Sequence, residues 1–370
     1  MSILGVNAIR LVTIRSGVAR YVENVLRCWA SMEHPFERIR VYAPRPIERD
    51  AVTGGALEPV VVSGRGPYAL WEQLHLPLAH GRRGPLFCPS YVAPLAARCP
   101  IALVHHGSYE GYPAAFGRWR RLTTRLAYGL SARRAELVIT VSESSRRDMV
   151  RFYGLAPERI HVVPEGVDTE LFRPLDDAEA AAGFRRRVFG EDTPFLLYVG
   201  KPVARHNIRS MLEAYRELLG RGVLAHRFLF VGAALPGIDV SRLVGELGIA
   251  ERVTLVGHAD HEFIRRAYDA CACLLYPSEY EGFGMPVLEA MACGCPVIAL
   301  ERTALPEFAG GVAWLAPRGD AATLAAAIER VLGDEPLRRR MRELGPRRAA
   351  AYDWRLVARR TMDLVAGISS

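Results

Sequence analysis

Residues 278–299 read SEYEGFGMPVLEAMACGCPVIA. Pro286 suits the first turn of a helix and Gly294 its end. Just ahead of that helix, Gly282 and Gly284 let the backbone come close to a ligand and leave amide N–H groups pointing toward it. A helix start of this kind attracts a phosphate, or the hydroxyls of a sugar attached to one. Glu281 precedes the helix and Glu289 lies on its first turns, eight positions further on. Two carboxylates so spaced can face one pocket, one binding sugar hydroxyls and the other ribose hydroxyls. The plainer alternative is a capped surface helix carrying two solvated glutamates. The apolar runs on either side, CACLLY at 271–276 and VIA at 297–299, read as buried strands.

Working outward, the same alternation of short apolar runs and longer amphipathic stretches fills the chain, the pattern of parallel strands joined by helices. Strands are expected at 2–6, 38–43, 60–62, 101–104, 137–140 and 160–163, with helices such as 18–30 and 119–133 between them. A second series has strands at 195–199, 228–231, 253–256, 274–276, 297–299 and 312–315, separated by helices near 207–219, 261–270, 286–292 and 321–332. The expectation is an α/β protein of two facing, Rossmann-like, doubly wound domains with a cleft between them. The first spans 1–172 and the second 190–354, with an alanine-rich linker at 173–189. A C-terminal helix at about 355–370 packs back on the first domain. In such sheets ligands sit beyond the carboxyl ends of the strands.

Composition narrows the class. The chain has 370 residues, half of them hydrophobic, and a mean hydropathy of +0.06, values of a folded globular protein. Its apolar runs fall short of the roughly 18 residues of a membrane-crossing helix, and the start meets Arg10 too early for a signal peptide, so a cytoplasmic location is expected. The net charge of +8 suits anionic partners. Of 48 basic residues 47 are arginine, and the one lysine is Lys201. The seven cysteines include Cys271/Cys273 and Cys293/Cys295, pairs too closely spaced for a zinc site and suited to core packing. No D-x-D pair is present, so no metal site is expected. Dinucleotide, P-loop and nucleophile-elbow signatures are also absent, against dehydrogenase, kinase and hydrolase readings. A nucleic-acid partner is not expected, because no recognition motif accompanies the basic residues.

The EGFGMPVLEAMACG segment resembles the E-x7-E signature of the retaining glycosyltransferases of family four, which have the GT-B fold. The likeness runs along the chain, in SGVARYVENVL (16–26), VITVSESSRRDMVRFYG (138–154), RIHVVPEGVDTELFRP (159–174), VGKPVARHN (199–207) and LPEFAG (305–310). The resemblance implies transfer of a hexosyl residue, mannosyl, rhamnosyl or glucosyl, from a GDP- or UDP-linked donor to a glycan, lipid-linked or small-molecule acceptor. No cofactor and no metal are implied. Glu281 would hold the transferred sugar and Glu289 the ribose. The backbone of Phe283, Gly284 and Met285 would touch sugar and diphosphate, Lys201, Arg205 and His206 would face the diphosphate, and Gly17 would let the first domain approach it. His105 aligns with the family histidine that contacts the sugar, and a shift of one position would put His106 there instead. A sugar-nucleotide epimerase of the same fold and a non-catalytic glycan-binding relative are the alternatives.

Three positions depart from the commoner family pattern. His206 stands where a lysine is usual, which would make one phosphate contact titratable. His106 stands where an aspartate is usual, and Glu165 where an asparagine is usual. Separately, Arg118, Arg120, Arg121, Arg125, Arg133 and Arg134 share a helical stretch with Trp119, Leu122, Leu126 and Tyr128. Such a helix either lies on an anionic membrane, as a peripheral contact, or is a solvated face over a buried apolar stripe.

Overall fold

The computed structural model describes residues 2–13, 17–48, 54–107, 112, 117–233 and 238–368. The chain divides into two compact units, Met1–Gly166 with Trp354–Ser370, and Val167–Asp353.

The first unit is built on seven parallel strands: β1 (Ile3–Asn7), β2 (Arg38–Ala43), β3 (Leu57–Val61), β4 (Leu86–Cys88), β5 (Ile101–His105), β6 (Leu137–Thr140) and β7 (Ile160–Val162). They lie in the order β3-β2-β1-β4-β5-β6-β7. The central strands β4, β5 and β6 are buried throughout, which is why they read as unbroken apolar runs rather than as alternating ones. Strand β4 escapes the sequence reading because three residues between Pro85 and Pro89 are too few to show a period. The helix Gly17–Ser31 buries Ala19, Tyr21, Val22, Val25, Leu26 and Trp29, one face of a 3.6-residue repeat. Trp29 Nε1 donates to the Ala358 carbonyl at 2.9 Å, tying the C-terminal helix Trp354–Gly367 to this unit. The Trp354 ring leaves no room for a side chain at Gly166, where a Cβ would come within 2.6 Å of it.

The second unit repeats the plan with six strands: β8 (Phe195–Val199), β9 (Arg227–Val231), β10 (Val253–Val256), β11 (Cys273–Tyr276), β12 (Val297–Leu300) and β13 (Trp314–Ala316), in the order β10-β9-β8-β11-β12-β13. The stretch expected as a linker is instead mostly a helix, Ala178–Phe189, started by Asp177, whose side chain accepts from the amides of Glu179 and Ala180, and ended by Gly190 at φ 79°. Phe184 of that helix packs against Phe195 and Phe263, so the segment belongs to this unit. Its alanine content hid the apolar period. The C-terminal helix expected at about 355–370 is Trp354–Gly367, and a separate helix, Glu335–Ala349, precedes it. At Gly345 a Cβ would lie 2.6 Å from the Met291 carbonyl; this glycine lets the helix Glu335–Ala349 press onto the helix Met285–Ala292.

Candidate functional site

In the second unit the loops leaving β8, β11 and β12 meet at the carboxyl edge of the sheet, because the strands are parallel. Asn207, in the left-handed region at φ 49°, donates from Nδ2 to the Pro277 carbonyl and to Glu279 Oε1, at 3.1 and 2.8 Å. The Glu279 amide donates to the Arg205 carbonyl at 2.8 Å. Thr303, also left-handed at φ 46°, accepts from the Glu281 amide at 3.0 Å. The turn that carries Glu281 is therefore clamped from both sides.

The Glu281 carboxylate is the focus of the cluster. Its Oε1 accepts from Ser278 Oγ at 2.8 Å, from Tyr276 OH at 3.0 Å and from His206 Nε2 at 3.0 Å, and Arg205 Nε stands 3.7 Å away. Burial by itself would raise the carboxyl's pKa; the His206 hydrogen bond, the Arg205 charge and the Ser278 hydroxyl outweigh it and bring it down to about 2. Burial, then the Glu281 charge, push the Tyr198 and Tyr276 hydroxyls well above their usual range, so both remain donors. Gly284 caps the helix Met285–Ala292 at φ 111°, and a Cβ there would lie 2.6 Å from Leu305. Phe283 stacks on Phe308 at 4.7 Å, turning its side chain into the core. Met285 is half-buried and Glu289 buried, with Tyr268 OH donating to Glu289 Oε2 at 3.4 Å.

The cations divide. Lys201 is exposed and Arg205 half-buried, both on the loop after β8. His206, expected as a phosphate contact, is buried. Its Nδ1 pairs with Tyr198 OH at 2.6 Å and its Nε2 with Glu281, so the ring's two polar atoms are spent on holding Glu281. The lysine of the commoner pattern cannot do this, because its ammonium is one point of charge on a flexible stem rather than a ring with two aimed nitrogens.

The first unit corrects the reading of the two histidines. His105, the last residue of β5, is wholly buried among Tyr91, Tyr128 and Tyr153. Its ring nitrogens have no hydrogen-bond partner among the described residues, and burial, with the His106 charge, lowers its pKa to about 3. His106 is buried too, with Nδ1 2.9 Å from Glu165 Oε1 and Nε2 2.9 Å from the Pro89 carbonyl. Neither histidine presents a nitrogen to a ligand. The two unusual residues, His106 and Glu165, are partners. Gly17 is exposed at the start of its helix, and residues 14–16 beside it lie outside the described residues, as do 108–111 and 113–116 after His106.

Sequence reasoning missed Tyr198, Asn207, Tyr276, Ser278 and Thr303 as the frame of the site. The polar end of each buried strand, YV at 198–199 and YPS at 276–278, was the available signal.

Residues 15–171 match the Glycosyltransferase Family 4 description and residues 182–348 match that of Glycosyl transferases group 1. The chain belongs to this family of glycosyltransferases and has the GT-B fold. It is similar to MMP alpha-(1->4)-mannosyltransferase of Mycolicibacterium hassiacum, 33% identical over 278 residues, 71% of this chain and 64% of that protein. It spans less than two thirds of the length of the first curated relatives it matches. Among solved structures, sucrose-phosphate synthase from Thermosynechococcus elongatus shares the fold at TM-score 0.78 and 21% identity, with 98% of each chain covered. Anabaena HepE in complex with UDP-glucose does so at TM-score 0.76 and 18% identity, with 99% of each covered.

Proposed function

We propose that this protein is a retaining, metal-independent glycosyltransferase that moves a hexosyl residue from a nucleoside diphosphate sugar, GDP- or UDP-linked, to a glycan, lipid-linked or small-molecule acceptor. The observation that carries the reading is the Glu281 carboxylate, held ionised at the start of a glycine-led helix with its described partners all on Oε1. Oε2 is the atom left to accept from the hydroxyls of the transferred sugar. The Lys201 and Arg205 side chains and the amides of Phe283, Gly284 and Met285 meet the diphosphate, and Glu289 takes the ribose.

The bond from the anomeric carbon to the diphosphate breaks while the acceptor oxygen bonds to that carbon on the same face. The acceptor proton passes to the departing phosphate oxygen. Negative charge grows on the diphosphate as this happens, and fixed cations and amide dipoles stabilise it without reorganising. A mannosyl donor is favoured by the likeness to a mannosyltransferase.

The test is donor hydrolysis in the absence of acceptor, followed across a panel of nucleoside diphosphate sugars. One donor should turn over, and Glu281→Ala should lower its rate by about a hundredfold or more. Interconversion of the sugar without release of nucleoside diphosphate would point to an epimerase. Binding of glycans with no turnover of any donor would point to a lectin-like relative.

A further inference from the structure

We propose that the first unit carries a docking face for an anionic membrane surface, built on the helix Arg118–Arg134 and the helical segment 68–80. The helix Arg118–Arg134 is amphipathic in the reverse of the usual sense. Its buried residues are Gly129, Ser131 and Ala132, all small. Its large apolar side chains, Trp119, Leu122, Leu126 and Leu130, are 80%, 49%, 55% and 47% exposed. They recur at i, i+3, i+7 and i+11, a single stripe, and at 100° per residue that stripe lies opposite the buried face. It is therefore not the covered stripe of a solvated helix.

The same unit exposes further large apolar side chains. Leu70, Leu74 and Leu78 are exposed at four-residue intervals on segment 68–80, and Leu95 is exposed between the two helices. Gln73 ties Leu95 to that segment, accepting from the Leu95 amide at 3.0 Å and donating to the Ala93 carbonyl at 2.9 Å. Tyr91 stacks on Tyr128 of the other helix at 5.0 Å. A solvent-facing apolar surface of this extent marks an interaction site.

Charge says what covers it. The helix carries six arginines and no acidic residue. Arg118, Arg121 and Arg125 line, with Trp119 and Leu122, a cavity of about 750 Å³. Guanidinium groups flanking an apolar stripe match the two layers of an anionic bilayer, headgroup phosphates beside acyl chains, and a tryptophan suits the boundary between them.

Flotation of the full chain with vesicles tests this without any transfer reaction, so its failure leaves the transferase reading standing. We expect flotation with vesicles of phosphatidylcholine and phosphatidylglycerol at about one third anionic lipid, none with phosphatidylcholine alone, and release at about 1 M salt. Arg118→Glu/Arg121→Glu/Arg125→Glu should weaken binding by about a hundredfold. Trp119→Ser/Leu122→Ser/Leu126→Ser should abolish flotation while circular dichroism and donor hydrolysis stay unchanged. Flotation on neither vesicle, equal flotation on both, or unchanged flotation of the apolar triple variant would each overturn the proposal. A self-association or protein-partner face gives the first of these results, and a purely ionic site gives the last.

Discussion

At the scale of single residues, the site turns on Glu281 and on the group that holds it. His206 was expected to meet phosphate, and its two ring nitrogens instead bridge Tyr198 and Glu281. The consequence is measurable as acid sensitivity. The folded-state pKa of Glu281 is about 2 against an ordinary 4.5, so the unfolded chain binds this proton more readily than the folded one. The group's contribution, about 3 kcal/mol at 1.36 kcal/mol per pKa unit, is present above about pH 4.5 and is lost as pH falls toward 2. In denaturant titrations at a series of pH values, Glu281→Gln should flatten that part of the profile. An unchanged slope would mean that the carboxylate is not held ionised by these partners.

At the scale of elements, the helix Met285–Ala292 depends on its cap. Gly284 combines a left-handed φ of 111° with a Cβ direction blocked by Leu305 at 2.6 Å. Gly284→Ala therefore meets backbone strain and overpacking together, and should cost about 2–4 kcal/mol of stability. Urea unfolding would read that cost. Loss of donor-induced thermal stabilisation should accompany it, because the helix-start amides move with the cap. Elements with clear periods were legible in advance: the helix His261–Ala270 lies where the apolar spacing puts it. Strand β4 and the helix Ala178–Phe189 were not legible, the one being too short and the other too rich in alanine to display a period.

At the scale of the whole molecule, the His106–Glu165 pair has a structural use. It joins the end of β5 to residue 165, immediately before the chain leaves the first unit after Gly166. Both groups are buried, so removing one leaves the other without its partner. Glu165→Ala should destabilise the first unit by about 3–5 kcal/mol, and the double change with His106→Ala should cost clearly less than the sum of the two single changes. A double-mutant cycle in chemical denaturation measures this, and simple additivity would show that the pair is not coupled.

The sequence by itself determined the two doubly wound sheets and pointed to Glu281, Glu289, Lys201 and Gly284 as candidates. Those depend on local periodicity, turn chemistry and a motif contiguous in the chain. Only the tertiary structure decided where the histidines point. Whether an imidazole at a strand end meets a ligand, a tyrosine box or a carboxylate 59 positions away is set by neighbours distant in sequence. The same holds for the arginine-rich helix. Its residue pattern allowed a covered apolar stripe or an exposed one, and the side of the helix that carries the small residues Gly129, Ser131 and Ala132 against the core left the stripe outside.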